Sequence, residues 1–220
     1  MSVTGLLDEQ KIKEELAILL RNSDIFTTTQ RGVTTNSDTG SFSSASSHTL
    51  STSPTLVKNV RNVVVDGSTL VFGTDYLVNY STGVISFTVS QTGAYTISYD
   101  TGSTDKIFTD FPKVELKISN YPRIAIGVTS TVSQENELGA HSNITNHIIS
   151  IYVYAIGTEN TNNYIKSIRE VILENKNDLY YLRFITPTNV SPMINEPARG
   201  DKVYTQVLDC NAPLNIEVIN

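Results

Sequence analysis

Two copies of the tripeptide Asp-Thr-Gly, Asp38-Thr39-Gly40 and Asp100-Thr101-Gly102, are the residues best suited to do chemistry in this chain. The second follows the apolar run Ile97-Ser98-Tyr99 and is continued by Ser103, so a strand would present its carboxylate. Two aspartates held together could share one proton and act as an acid–base pair. The first copy, however, sits in a polar tract with no strand to present it. Asp-Gly and Thr-Gly pairs are also ordinary turn residues.

The other chemical candidates are weaker. His48, His141 and His147 are the only histidines. The last two are six residues apart, a spacing that suits neither one helical face nor a strand-borne ligand pair, so all three read as polar loop residues. The single cysteine, Cys210, rules out an intramolecular disulfide, and its neighbours Val207 and Leu208 mark it as a packed thiol. No Gly-rich phosphate loop and no nucleophile elbow occurs. The expectation is a protein without catalytic residues, metal or cofactor, whose work is done by surfaces.

Those surfaces need elements to carry them. Ile148-Ile149-Ser150-Ile151-Tyr152-Val153-Tyr154-Ala155 is β-branched and aromatic almost throughout, the composition of a central strand. Gly157-Thr158 breaks it. Tyr164, Ile165, Ile168, Val171 and Ile172 then recur at helical spacing, with Lys166, Arg169 and Glu170 opposite. Thr158 and Thr161 are candidate N-caps and Asn175 a closing residue. Ile149, Ile151, Val153, Ile165, Ile168 and Ile172 are the expected core. An earlier helix spans Thr4 to Asn22, with Ile12, Leu16, Leu19 and Leu20 on its apolar stripe, either packed on a sheet or presented to a partner.

Between 27 and 55 more than half of the residues are Ser or Thr. Such a tract buries too little apolar area to order itself, so it reads as a flexible loop or as an arm that orders on a neighbouring subunit through Phe42 and Leu50. Residues 56–106 read as an antiparallel β module, with turns at Asp66-Gly67, Ser81-Thr82-Gly83 and Gln91-Thr92-Gly93. Further strands are expected at 114–118, 124–128, 180–185, 203–210 and 214–219. The polar stretch 129–146 reads as a hairpin tip or loop, and 186–199, with Pro187, Pro192 and Pro197, as a loop. The fold class is then α+β: a mixed or antiparallel sheet flanked by two helices, formed by 1–26 and 107–220, with a small all-β sandwich or barrel-like domain inserted at 56–106.

Hydrophobic residues make up 39% and charged residues 17% of the chain, the balance leaning to Ser, Thr and Asn. A net charge of −6 without a basic cluster argues against a nucleic-acid binder held by phosphate contacts. No basic region followed by an apolar run opens the chain, and no apolar stretch reaches the ~20 residues of a membrane span. The expectation is synthesis in a cytoplasm, with no membrane partner. The sequons at Asn79, Asn143 and Asn189 then read as chance matches in an Asn- and Thr-rich chain.

Two resemblances bear on function. Asp100-Thr101-Gly102-Ser103 resembles the active-site motif of aspartic proteases, although the two copies here are too close in sequence to head separate lobes. The second resemblance covers much more of the chain. A first helix, a Phe111-Pro112 or Tyr121-Pro122 step into a strand, a long hairpin, Ile151-Tyr152-Val153-Tyr154-Ala155 and the helix Asn163-Tyr164-Ile165-Lys166-Ser167-Ile168-Arg169-Glu170-Val171-Ile172-Leu173 follow in order. This order resembles the tail terminator, or tail completion, proteins of tailed phages and archaeal tailed viruses. The module around Gly73-Thr74-Asp75-Tyr76 resembles small β domains of phage structural proteins.

The resemblance implies a virion structural protein forming a homo-oligomeric ring, usually of six subunits. Such a ring would be assembled in the host cytoplasm, cap the tail tube protein and join it to the neck connector. DNA would pass through it without specific binding. On that reading Glu135 and Glu137 face the lumen or the tube, and Phe42 and Leu50 anchor an inter-subunit arm. Alternatives are another neck or baseplate adaptor, or a glycan- or surface-binding decoration module.

Overall fold

The structure, a computed structural model, describes residues 9–52, 56–109, 121–135, 142–197 and 202–217. The chain is α+β, mostly sheet with few helices, and divides into two compact units: Met1–Ile25 with Ile107–Asn220, and Phe26–Lys106.

In the first unit the sheet order is β10-β11-β8-β7-β6, with β9 also pairing to β11. Its strands are β6 (Ile107–Phe108), β7 (Arg123–Glu135), β8 (Ser142–Ile156), β9 (Thr186–Val190), β10 (Ile194–Pro197) and β11 (Lys202–Glu217). The helices are α1 (Glu9–Asn22) and α3 (Thr158–Asn175). Because side chains alternate across a strand, the pairing sorts them onto two faces. Ile124–Val153–Gln206, Ile126–Ile151–Leu208 and Val128–Ile149–Cys210 form cross-strand rows on one face. Ile124, Ile126, Ile149, Ile151, Val153 and Cys210 are all fully buried there.

Helix α1 packs on β6 and β7, α3 packs on β8, β9 and β11, and the two helices touch each other, so both lie on one side of the sheet. The six expected core residues, Ile149, Ile151, Val153, Ile165, Ile168 and Ile172, are all buried. Burying each such side chain is worth roughly 1.5–3 kcal/mol.

Several expectations are corrected. The N-cap of α3 is Gly157, at φ 85°, and not a threonine. The Thr161 hydroxyl donates back to the Gly157 carbonyl at 2.9 Å instead of capping a free N–H. Residues 180–185 form turns, not a strand. The proline-bearing 186–197 stretch is partly strand, because β9 and β10 pair only to β11 and edge positions tolerate proline. Strand β11 is continuous where two strands were expected. The polar 129–146 stretch is largely ladder, with Ser130↔Ile148 and on to Glu135↔Asn143 paired across β7 and β8. The strand expected at 114–118 lies outside the described residues.

The second unit is a five-stranded antiparallel sheet, β1-β5-β2-β3, with β4 also on β5. Its strands are β1 (Thr34–Thr49), β2 (Val57–Val65), β3 (Ser68–Thr69), β4 (Tyr76–Asn79) and β5 (Val84–Thr101). The Ser/Thr tract expected as a loop or arm is in fact the short helix α2 (Thr28–Arg31) and the 16-residue strand β1. A capping box starts α2: the Thr27 hydroxyl accepts from the Gln30 N–H, and the Gln30 side chain accepts from the Thr27 N–H. Strand β1 is ordered by its neighbour, since it pairs with β5 almost from end to end.

Strand β5 also runs straight through Gln91-Thr92-Gly93, where a turn was expected. Gly93 adopts φ 113°, and a Cβ there would lie 2.9 Å from the Asp66 side chain, so this glycine serves a close crossing and not a reversal.

Candidate functional site

Phe42 and Leu50 are core residues of the second unit, contrary to the arm reading. The Phe42 ring stacks on Tyr95 at 4.1 Å between centroids and meets Phe87 edge-on at 5.3 Å. Leu50 is buried in the same cluster, and its N–H donates to the Gly83 carbonyl. Their anchoring surface is their own sheet.

The two Asp-Thr-Gly aspartates do meet in one sheet, because β1 pairs with β5, but each is engaged separately. Asp100 is fully buried. Its Oδ1 accepts from the Thr35 hydroxyl at 2.8 Å and the Arg61 guanidinium at 2.6 Å, and its Oδ2 from Arg31 at 2.7 Å. Arg31, also fully buried, reaches Asp105 as well, at 3.1 Å. Burial by itself would raise the Asp100 pKa, but the donors from Arg61, Arg31 and Thr35 outweigh it and hold the carboxyl below its ordinary range.

Asp38 is treated the same way by different groups. Burial pushes it up, and hydrogen bonds from the Ser51 N–H, the Tyr99 hydroxyl and His48 bring it below the ordinary value. The Tyr99 phenol, buried and donating to Asp38, is pushed up to about 12. Both carboxylates are thus ionised and saturated. Neither holds the proton a shared acid–base pair requires.

In the first unit, Glu135 is the last residue of β7, opposite Asn143, and Glu137 lies outside the described residues, as does His141. His147 is buried in β8 and not in a loop. Burial pulls its pKa down, with Glu9 opposing, and its Nδ1 lies 3.0 Å from the Thr131 hydroxyl. Cys210 is buried, and burial pushes its thiol up to about 12, so it is a packing group. Glu15 of α1 is buried and receives three successive backbone N–H groups, from Tyr180 at 2.5 Å and from Tyr181 and Leu182 at 2.9 Å each. This carboxylate stitches the turn after α3 to α1. Burial nevertheless drives its pKa up to about 7 against the pull of those donors.

The residue sequence reasoning missed is Arg123, the first residue of β7. It is only 3% exposed. Its guanidinium lies over the rings of Tyr121 and Tyr154, at 5.0 and 5.2 Å. Nε and Nη2 are buried without a hydrogen-bond partner. Burial pulls its pKa down, with Tyr121 and Tyr154 opposing. The sequence showed only Tyr121-Pro122-Arg123 leading into a strand, and nothing in that pattern signals burial.

Arg123 stands on the sheet face opposite the helices. The rows of that face read Arg123–Tyr154–Thr205–Ile194, then Ala125–Tyr152–Val207, then Gly127–Ser150–Asp209. Asp209 is held by the Ser150 hydroxyl at 2.6 Å, which in turn lies 3.1 Å from Thr129. Ile156 and Ile194 remain 40% and 58% exposed.

Among the described residues no cluster of three or more His, Cys, Asp or Glu could hold a metal ion, and no helix is long and apolar enough to cross a membrane. No protein-family model and no curated protein matches the chain.

Proposed function

We propose that this chain is a virion structural protein that assembles into a ring, of six subunits on the pattern it resembles, terminating the tail tube and joining it to the neck. The first unit would be the ring-forming core, a sheet flanked by α1 and α3, and the second an inserted β domain facing a neighbouring virion component. DNA would pass through the channel unbound.

The observation that carries this reading is the three-stranded ribbon of β7, β8 and β11. Its pairing continues beyond the His147–Ala212 row to Glu135↔Asn143 and Glu217↔Ser142. That is four or five further residues per strand, roughly 15 Å at the usual rise. An extended hairpin of this kind suits contact with an adjacent subunit or the tube, and its last β7 residue is Glu135. The excess of 22 acidic over 16 basic residues suits a channel that DNA crosses without sticking.

Light scattering and negative-stain imaging of the purified protein test the reading. Rings with a central hole, and no retention of duplex DNA at moderate salt, are the expected result. A chain that stays monomeric at every concentration, alone and with the tail tube protein, overturns it.

A further inference from the structure

We infer that strand β1 is an association edge, and that a second copy of this chain lays its own β1 against it, antiparallel. The inference concerns the second unit alone and stands whether or not the first forms a ring.

An edge strand pairs on one side, so about half of its backbone N–H and C=O groups point away from the sheet and can take another strand. Among the described residues β1 pairs with β5 alone. Its register runs unbroken from Thr34↔Thr101 to Phe42↔Gly93, nine residues or about 30 Å at the usual rise. Beyond Phe42 the register shifts twice and Ser44 adopts φ 54°, so the regular edge ends there. Thr34, Thr35, Ser37, Thr39, Gly40 and Ser41 are exposed, which leaves this edge open to a partner. Gly40 does not loosen it. Tyr95 stands directly opposite, and a Cβ on Gly40 would lie 2.8 Å from the Tyr95 hydroxyl. The ring therefore lies over the glycine and holds the strand in place before a partner arrives.

Sheet edges are ordinarily kept apart by short length, proline, lysine or breaks in the ladder. The other described strands that pair with one strand only follow this rule. Strands β3, β4, β6, β9 and β10 are two to five residues long, and β9 and β10 carry Pro187 and Pro197. Strand β2, which β3 covers only at Val64 and Val65, carries Lys58 and two register shifts. Strand β1 has 16 residues and no proline, lysine, arginine or glutamate.

The choice of a second copy rests on the residues of the edge itself. Between Thr34 and Phe42 the one charged side chain is Asp38, buried on the core side and held by the Ser51 N–H, the Tyr99 hydroxyl and His48. A strongly acidic or basic partner has nothing along this edge to select it, whereas two β1 strands bring no exposed like charges together. Their side chains also suit each other. Within the chain β1 already sets Thr34 against Thr101, Ser37 against Ser98 and Thr39 against Thr96, and a second β1 brings Ser and Thr of the same kind. Antiparallel pairing about a twofold axis satisfies both free edges in one contact.

The test is amide hydrogen exchange of the full chain, read over residues 34–42, with its mass by light scattering, across a dilution series. Three variants accompany wild type: Ser37→Lys with Thr39→Lys, Ser37→Glu with Thr39→Glu, and a control, Ser68→Lys with Thr69→Lys, on the exposed β3. Ser37 and Thr39 are exposed and alternate with Asn36, Asp38 and Gly40, so the changes leave the core face untouched, which thermal melting checks. Wild type is expected to dimerise, with exchange over 34–42 slowing about 10-fold or more from the dilute to the concentrated end. The Lys pair and the Glu pair should each weaken dimerisation about 10-fold or more, and an equimolar mixture of the two should restore it. The control should stay within about 2-fold of wild type.

Exchange over 34–42 that ignores concentration overturns the inference even where rings form, and leaves the ring reading standing. So does a Lys pair that associates and protects 34–42 as strongly as wild type, or a mixture that fails to recover. Dimers protected over 34–42, in place of rings, keep the edge and remove the ring. If the chain alone never protects 34–42 and the tail tube protein does so on mixing, the edge belongs to that partner and the second-copy occupant is wrong.

Discussion

Arg31 in the β unit and Arg123 in the α+β unit are both cut off from water, but only Arg31 is paired with carboxylates, its Nη2 alone lacking a partner. Arg31 is closed in by Asp100 and Asp105, and Asp100 is in turn shared with Arg61 and Thr35. Arg123 has two aromatic faces and no described anion. The first cation is held by two carboxylates; the second rests between two aromatic rings, with Nε and Nη2 unpaired. Depth of burial does not by itself decide how completely a charge is paired.

The same contrast runs through the acids. Asp38 and Asp100 in the β unit are held ionised, below their ordinary pKa, whereas Glu15 in the α+β unit is pushed up to about 7. The two units therefore answer pH in opposite directions.

The largest expected effect comes from breaking the closed cluster. Asp100→Ala leaves Arg31 and Arg61 facing a hole, and urea unfolding should show a loss of about 3–5 kcal/mol. A loss under about 1 kcal/mol would mean that water or Asp105 can replace the carboxylate. Phe42→Ala removes the ring between Tyr95 and Phe87, for a loss of about 3 kcal/mol or somewhat more in the same measurement. Had Phe42 been an arm anchor, monomer stability would be unchanged and only association would fall.

The pH response comes next. The folded state holds a proton on Glu15 that the unfolded chain releases near 4.5. The Glu15 contribution is thus fully present below about pH 4.5 and is lost as pH rises toward 7. At most it amounts to about 3 kcal/mol over that span. Asp38 and Asp100 act oppositely: their contribution is present above the ordinary carboxylate value of 3.8 and is lost as pH falls through their lower folded values. Melting temperature followed from pH 3 to pH 8 should therefore pass through a maximum on the acid side of neutrality. In Glu15→Gln the fall between pH 4.5 and 7 should flatten; an unchanged slope would locate the titrating group elsewhere.

The smallest expected effect is on the stability of Arg123→Met as a monomer, within about 1 kcal/mol of wild type or above it. Set beside Asp100→Ala, this near-silence is what distinguishes an open charge from a closed one. A loss as large as that of Asp100→Ala would erase the contrast between the two arginines.

What the sequence by itself determined was local and periodic. The alternation and β-branching of Ile148–Ala155 and the helical spacing of Ile165, Ile168 and Ile172 were enough to mark a central strand, a following helix and their buried faces. Asp66-Gly67 marked its hairpin because both residues adopt positive φ, a demand written in residue type.

What only the tertiary structure decided depended on neighbours distant in sequence. The Ser/Thr tract has too little apolar content to order itself, and it becomes β1 because β5 supplies its ladder. Gln91-Thr92-Gly93 carries turn chemistry, but the close approach of Asp66 uses its glycine inside a strand. The carboxylates of the two Asp-Thr-Gly copies are settled by Arg31, Arg61, Tyr99 and Ser51, which no motif connects to them. Arg123 is the clearest case. Composition counts it as one base among 16, and only the fold strips its water away and sets it between two tyrosine rings, with no carboxylate in ion-pair reach among the described residues.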